Sequence, residues 1–179
     1  AATGLSSALS GQRKLVYKKG VPPFTASDFD ATATNLVSYH GTFDKYWSYV
    51  ASVYLDDTTD AGNTTSADTQ MVTSSGDIAY FGKTETFDAI SWDVSTAGDS
   101  GGAITWEYCS AVDGSTACTT WSALTFTSQT SAAASDFEMD GYGAFTAPGD
   151  WVAAKVNSEA TAYYYIRARA TASYVTSPV

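Results

Sequence analysis

The chain has 179 residues, a mass of 18.8 kDa, a net charge of −10 and a pI near 4.2. Its hydrophobic content of 44% is that of a globular protein and excludes wholesale disorder. The length suits one domain with or without an arm, no apolar run is long enough to span a membrane, and the acidic body disfavours nucleic acid as a partner.

The first 20 residues are basic, unlike the rest. They contain four basic side chains and no acid, whereas the other 159 residues carry 5 basic and 19 acidic side chains, a net charge of −14. The pattern predicts an N-terminal arm over residues 1–23, ahead of a domain over residues 24–179. The β-prone centre of the arm consists of Arg13, Lys14, Leu15, Val16, Tyr17, Lys18 and Lys19. One interpretation is an edge strand kept soluble by lysines; the other is a strand that the arm adds to a neighbouring subunit.

Alternation of apolar and polar residues with a period of two predicts β-strands through the domain, and helical periodicity is weak. The predicted strands cover residues 46–55, 78–81, 87–94, 103–108, 119–126, 144–146 and 163–171. Residues 56–76 are predicted to form a long polar loop, and residues 150–152 a turn or a single helical turn. Short strands separated by Gly, Asp and Ser turns are typical of a β-sandwich or jelly roll.

The long polar loop opens with oxygen-bearing side chains that suit a calcium ion. Asp56, Asp57, Asp60 and Asn63 lie within eight residues, and Ca²⁺ is coordinated by about six to eight oxygens in irregular loops. The spacing does not match an EF-hand. The alternative is a solvated acidic loop. Asn63 also begins an Asn-Thr-Thr sequence that fits a glycosylation acceptor.

Two cysteines, Cys109 and Cys118, flank an Asp-Gly turn signal at residues 113–114. A hairpin that turns there brings the two cysteines onto facing strands, so the sequence predicts a disulfide; two buried free thiols are the alternative. A disulfide favours an oxidising, extracellular compartment. The start at Ala1 without a leader-like segment favours a processed chain, although an artificial boundary would look the same.

Residues 98–102 read Gly-Asp-Ser-Gly-Gly, the nucleophile motif of chymotrypsin-like serine proteases. The only histidine, His40, lacks the sequence context of that family's general base. Asp-Ser-Gly-Gly is also an ordinary turn sequence. We therefore expect a turn here and no enzyme activity, with a serine protease as a hypothesis that labelling of Ser100 would test.

Two further segments alternate in a way that suggests surfaces. As a strand, residues 136–140 place Asp136, Glu138 and Asp140 on one face, where a cation or the basic arm could relieve their repulsion. A solvated edge is the alternative. The last predicted strand places Tyr163, Tyr165, Arg167 and Arg169 on one face. Tyr and Arg are enriched at interfaces and aromatic rings stack on sugars, but the protein's own loops could also cover this face.

The second half of the chain, about residues 77–179, resembles jelly-roll modules of tailed-phage structural proteins and of bacterial surface or appendage proteins. The segments that carry the resemblance are Tyr-Phe-Gly at 80–82, Phe-Asp-Ala-Ile at 87–90, Trp-Glu-Tyr at 106–108, Trp-Ser-Ala-Leu at 121–124, Pro-Gly-Asp-Trp at 148–151, Val-Asn at 156–157 and Tyr-Ile-Arg-Ala-Arg at 165–169. The resemblance implies a non-enzymatic β-sandwich used in assembly or attachment, and it implies no catalytic residues.

These observations together predict an all-β protein with a single jelly-roll or β-sandwich domain and an extended N-terminal arm. The leading functional hypothesis is a secreted structural subunit that forms a homopolymeric extracellular filament or surface appendage by strand exchange through the arm. A phage capsid-decoration or tail protein in a virion is the second hypothesis. A carbohydrate-binding module is the third, with Tyr163, Tyr165 and exposed Trp residues contacting glycans. No cofactor is expected apart from structural Ca²⁺ as a candidate.

Overall fold

The computed structural model describes residues 43–61 and 71–179. The predicted arm, His40 and Asn63 lie outside the described residues. The regular secondary structure of the described residues is almost entirely β-strand. In chain order, its elements are β1 (Lys45–Val50), β2 (Val53–Asp56), α1 (Thr58–Ala61), β3 (Ile78–Lys83), β4 (Ala89–Trp92), β5 (Ala103–Val112), β6 (Cys118–Ala123), β7 (Ser128–Gln129), α2 (Ala132–Ser135), β8 (Gly141–Ala144), β9 (Ala153–Ala154) and β10 (Tyr163–Ala172).

The strands form two antiparallel sheets. The larger sheet has seven strands in the order β2-β1-β3-β10-β5-β6, with β9 paired to one end of β10, and the smaller has three in the order β4-β8-β7. The all-β prediction is confirmed, and the two sheets are consistent with a β-sandwich; the jelly-roll topology stays a prediction. Residues 43–61 and 71–179 contain no helix that is both long and apolar enough to cross a membrane.

The main core contains aromatic side chains from both sheets. The ring of Trp106 in β5 lies 5.8 Å from Phe81 of the larger sheet and 5.6 Å from Trp92 of the smaller one, with interplanar angles of 26° and 25°. The indole N–H of Trp92 donates to the carbonyl of Met139, and that of Trp106 to the carbonyl of Ser135. These bonds satisfy the polar atoms that burial of an indole would otherwise leave unpaired.

Residues 46–55, predicted as one strand, form a hairpin instead. β1 and β2 pair with Val50 opposite Val53, so Ala51 and Ser52 are the whole loop. Both have positive φ, 51° and 67°, as the type I′ turn of a two-residue hairpin requires. The prediction was wrong because this turn usually has Asn or Gly, and neither residue is present here.

The hairpin between β5 and β6 was predicted correctly. The Asp113 carboxylate accepts hydrogen bonds from the backbone N–H groups of Ser115 and Ala117, at 2.8 and 3.0 Å, which closes the turn. Cys109 and Cys118 form a disulfide with a Cα–Cα distance of 5.9 Å. The predicted disulfide is therefore confirmed.

Residues 136–140 do not form the strand that a row of three acids on one face would require. Ser131 caps α2 by accepting a hydrogen bond from the Ala134 N–H, and the chain leaves the helix through Phe137, which has a φ of 58° and is fully buried. The local cap outweighs the alternating pattern that suggested a strand. The three acids of this segment consequently do not form a row along one strand face.

The strained hairpin loop gives a stability prediction. Replacement of Ser52 by Gly removes a Cβ from a left-handed conformation, which costs about 1–2 kcal/mol, against an entropy cost of about 0.5–1 kcal/mol for Gly. We expect Ser52→Gly to raise the free energy of unfolding by up to about 1 kcal/mol in urea denaturation. Ser52→Ala is the matched control, because it retains the Cβ and should give no gain. Equal stabilities of the two variants would contradict the assignment of the turn.

Candidate functional site

The two faces of β10 differ as the alternation predicts. Ile166, Ala168 and Ala170 are fully buried in the main core. Tyr163, Tyr165, Arg167 and Arg169 lie on the opposite face of the larger sheet, which we call the outer face. Tyr165 is also fully buried, whereas the interface and sugar-binding hypotheses need its ring at the surface. The proposed interface role of the other three side chains stays a prediction.

A second aromatic cluster covers the outer face, and we call it the outer cluster. Its buried members are Ile78, Tyr80, Val156 and Tyr165, and its partly buried rim consists of Trp47, Tyr49, Tyr54, Trp121 and Tyr163. The Tyr165 ring lies over Gly82, where an added Cβ would come within 2.6 Å of it. Glycine at this position therefore leaves the space into which Tyr165 packs.

Glu107 is at the centre of an ion cluster on the outer face. Its carboxylate accepts a hydrogen bond from Nε of Arg167 at 2.7 Å and two from Arg169 at 3.2 Å. The guanidinium of Arg167 also lies 4.2 Å from the ring centroid of Trp121. Because Glu107 and Arg167 are nearly buried, removal of either would leave the other as a poorly solvated charge. The primary role visible for these two arginines is thus to join β5 to β10.

Glu159 connects a loop to the outer cluster. Its Oε1 accepts hydrogen bonds from the Trp47 indole N–H at 2.6 Å and from the Tyr165 hydroxyl at 2.7 Å, while Oε2 accepts one from the Val156 N–H at 2.8 Å. Burial, together with the bond to this carboxylate, raises the pKa of Tyr165 above its usual value. Glu159 therefore holds residues 156–163 against β1 and β10.

A groove of about 230 Å³ opens beside Glu159. It is lined by Lys45 and Trp47 of β1, by residues 158–161 and by Tyr163 of β10. The ammonium of Lys45 is paired with the Asp56 carboxylate and lies 4.8 Å from the Trp47 ring centroid. The groove thus combines two aromatic rings with a carboxylate, a neutralised ammonium and hydroxyl groups.

Of the residues that line the groove, Tyr163 was predicted from the sequence as a site residue, whereas Glu159 and Trp47 were not. Glu159 is a single acid in a polar turn, and no spacing or motif distinguishes it from other surface acids. Trp47 occurs within a predicted strand, but its place beside the groove depends on the register that puts it opposite Tyr80 of β3. Alternation within β1 assigns Trp47 to the outer face; it does not identify what the ring contacts.

The residues predicted to bind calcium have other partners where the structure describes them. Asp56 pairs with Lys45 and accepts the Thr58 hydroxyl at 2.6 Å, and Asp57 accepts the Ser48 hydroxyl at 2.9 Å. Asp60 belongs to α1. Within residues 43–61 and 71–179, no three Asp, Glu, His or Cys side chains are grouped closely enough to hold a metal. Calcium binding stays a prediction, since Asn63 is outside the described residues.

The acids at 136, 138 and 140 are separated in the structure. Asp136 accepts a hydrogen bond from the Ile104 N–H at 2.8 Å, and burial raises its pKa. Asp140 accepts a hydrogen bond from the Val94 N–H at 3.0 Å. The side chain of Glu138 is partly buried. Asp136 and Asp140 thus anchor two different backbone segments. Their predicted role in binding the arm stays a prediction.

The Gly-Asp-Ser-Gly-Gly segment forms the expected turn. A Cβ at Gly102 would approach the Tyr174 ring to 1.9 Å, so this glycine admits the ring to the core. The Tyr174 hydroxyl donates to the carbonyl of Asp136 at 2.6 Å. The Asp99 carboxylate accepts the N–H groups of Val175 and Thr176, at 2.8 and 3.1 Å. The described contacts give the motif a packing role, and His40 lies outside the described residues.

Comparisons of the chain with known proteins found no matching family model, no similar curated protein and no similar solved structure. The resemblance to phage and appendage jelly-roll modules stays a prediction.

Glu159 provides a stability prediction for the site. Glu159→Gln replaces one acceptor oxygen by an NH₂ group, so a donor among Trp47, Tyr165 and Val156 loses its partner. We expect a loss of about 1–3 kcal/mol in the free energy of unfolding, measured by urea denaturation. The matched control is Glu85→Gln, because Glu85 is exposed and should change stability by less than about 0.5 kcal/mol. Equal effects at both positions would contradict the role given to Glu159.

Asp99 gives a pH prediction. Hydrogen bonds from the backbone N–H groups of Thr176 and Val175 hold the pKa of Asp99 below its usual value. Its contribution to stability is therefore present above the unfolded-state pKa of about 3.9 and is lost as the pH falls through the folded pKa. We expect Asp99→Asn to be less stable than the native chain at pH 6, with the difference shrinking below about pH 3.

Urea denaturation at pH 6 and at about pH 2 measures this difference in the free energy of unfolding. Asp93→Asn is the matched control, because Asp93 is exposed. A deficit of Asp99→Asn that is as large at about pH 2 as at pH 6 would contradict the prediction.

Proposed function

We propose that the protein is a non-enzymatic structural subunit that self-assembles outside the cell into a filament or surface appendage. In this proposal, residues 13–19 of one copy add a strand to the larger sheet of the next copy. The observation that carries the proposal is the character of the sheet edge formed by β2.

β2 is an edge strand with apolar side chains at the surface. No strand within residues 43–61 and 71–179 pairs with its free side. Val53 and Leu55 are 54% and 50% exposed. Unpaired backbone groups beside exposed apolar side chains are a template for another strand. Leu15 and Tyr17 of an incoming arm would supply the apolar side chains that cover Val53 and Leu55.

The opposite edge of the larger sheet is less suited to strand addition. It is formed by β6, where Thr119, Thr120 and Ala123 are the exposed residues and Cys118 is held in the disulfide. The side chains of two threonines and one alanine offer less apolar surface to a new strand than those of Val53 and Leu55. The contrast between the two edges supports β2 as the acceptor.

Charge supports the same pairing. The first 20 residues carry four positive charges, and the rest of the chain has a net charge of −14. An arm of opposite sign raises the rate of encounter between copies and favours a defined register. Asp56 at the end of β2 is already paired with Lys45, so the attraction comes from the net charge of the domain and not from this one carboxylate. This electrostatic attraction between copies weakens as the salt concentration rises.

The disulfide is compatible with an extracellular location, where such bonds persist. The runner-up, a phage virion protein, would use the same fold and the same strand exchange. Genomic neighbourhood separates the two: phage structural genes beside this one would favour the virion, and secretion genes would favour the appendage.

The assembly proposal is tested by deletion of residues 1–20. We expect a folded monomer by circular dichroism and size exclusion, whereas the full chain forms filaments or large ordered particles in negative-stain microscopy. Leu55→Lys should also prevent assembly of the full chain, because a lysine on an edge strand blocks further pairing. Thr119→Lys on β6 is the matched control and should assemble normally.

Ordered assembly by the truncated chain would overturn the proposal. Assembly by Leu55→Lys together with its loss in Thr119→Lys would place the acceptor edge at β6 and contradict the choice of β2.

A further inference from the structure

We propose that the groove between Trp47 and Tyr163 binds a single neutral pyranose ring. The site is separate from the assembly edge. Val53 and Leu55 pair with Val50 and Ser48, whose side chains alternate with that of Trp47 along β1. The groove therefore lies on the opposite face of the sheet, and one copy could assemble and bind sugar at once.

The walls of the groove match the apolar surface of a sugar. Each face of a pyranose ring exposes C–H groups, and burial of these groups against an indole and a phenol removes apolar surface from water. Trp47 and Tyr163 are both only partly buried. Because the Lys45 ammonium lies over the Trp47 ring, a sugar would contact the Tyr163 ring and the part of the indole that Lys45 leaves uncovered. Small-molecule sites commonly combine such aromatic walls with a few fixed polar groups.

The polar groups of the groove match the hydroxyls at the edge of a sugar ring. Oε1 of Glu159 already accepts two hydrogen bonds and Oε2 accepts one. A carboxylate oxygen can accept two, so Oε2 has capacity for one more donor. Ser158 and Thr161 also line the groove, and their hydroxyls can donate as well as accept.

The volume of the groove restricts the ligand to one ring. About 230 Å³ is available, which is below the range of roughly 300–1,000 Å³ usual for sites that enclose drug-sized ligands. A longer glycan would therefore bind through one residue, with the others in solvent. A single ring of this size should bind weakly, with a dissociation constant on the order of 1–10 mM.

The charges around the groove select for a neutral sugar. The ammonium of Lys45 is neutralised by Asp56, which leaves Glu159 as the uncompensated charge of the lining residues. A uronic or sialic acid would bring a second carboxylate to this position and be repelled. The net charge of −10 on the whole chain acts in the same direction.

The groove is held in shape before any ligand arrives. Trp47 and Tyr163 belong to β1 and β10, which both pair with β3. The bonds of Glu159 to Trp47 and Tyr165 fix one side of the groove relative to the other. Side chains that are already ordered lose little entropy on binding, which favours recognition of a small ligand.

The test uses the full chain labelled with ¹⁵N and the methyl β-glycosides of glucose, galactose, mannose and N-acetylglucosamine. Binding is followed by the NMR signal of the Trp47 indole N–H. The chain has five tryptophans, and the Trp47 signal is identified as the one that is missing from the spectrum of Trp47→Phe. We expect a saturable shift of this signal with at least one of the four probes. Glucuronic acid should bind at least tenfold more weakly than the methyl glucoside.

Three variants separate binding from folding. Tyr163→Ala should weaken binding of the best probe at least tenfold, whereas Tyr49→Ala, on the same sheet face but outside the groove, should leave it unchanged. Thr161→Trp fills the groove from an exposed position, so it should fold normally and abolish binding. Absence of a saturable shift with all four probes would overturn the proposal. Undiminished binding by Thr161→Trp, or equal binding of glucuronic acid, would overturn it as well.

Discussion

Burial of β10 on both faces is the constraint on which the rest of the structure depends. Ile166, Ala168 and Ala170 pack into the main core, and Tyr165 packs into the outer cluster. An antiparallel sheet usually needs to bury only one of its faces. Here the second face is fully buried at Tyr165 and partly buried at Tyr163, Arg167 and Arg169. From the main core, the indole N–H of Trp151 donates to the carbonyl of Tyr165 at 3.1 Å. The strands that flank β10, the loop that carries Glu159 and the groove beside it are all positioned relative to this one strand.

Prediction from sequence succeeded where one physical signal dominated. Alternation placed the residues of β10 on their correct faces, and an Asp-Gly turn between two cysteines was enough to predict the disulfide. It failed where two signals competed. Residues 136–140 alternate like a strand, but the Ser131 cap starts a short helix just before them. Ala51 and Ser52 occupy a turn whose usual residues are absent, so the loop had no local signature.

The candidate site was harder to predict than the fold because it is built from long-range contacts. Glu159 and Trp47 are 112 residues apart in sequence and meet only because β1 and β10 are both partners of β3. Local motifs were conversely poor guides to chemistry. The Gly-Asp-Ser-Gly-Gly sequence matches a catalytic motif, yet its described contacts are those of a turn that accommodates an aromatic ring.

That turn has a consequence for how the sequence can diverge. Tyr174 occupies the space that a side chain at position 102 would need, and its hydroxyl is bonded to the backbone of residue 136. The two positions are therefore coupled by volume. A homologue with alanine or serine at position 102 has to carry a smaller residue at position 174. It then also has to find a new donor for the carbonyl at position 136, so three distant parts of the chain are expected to vary together.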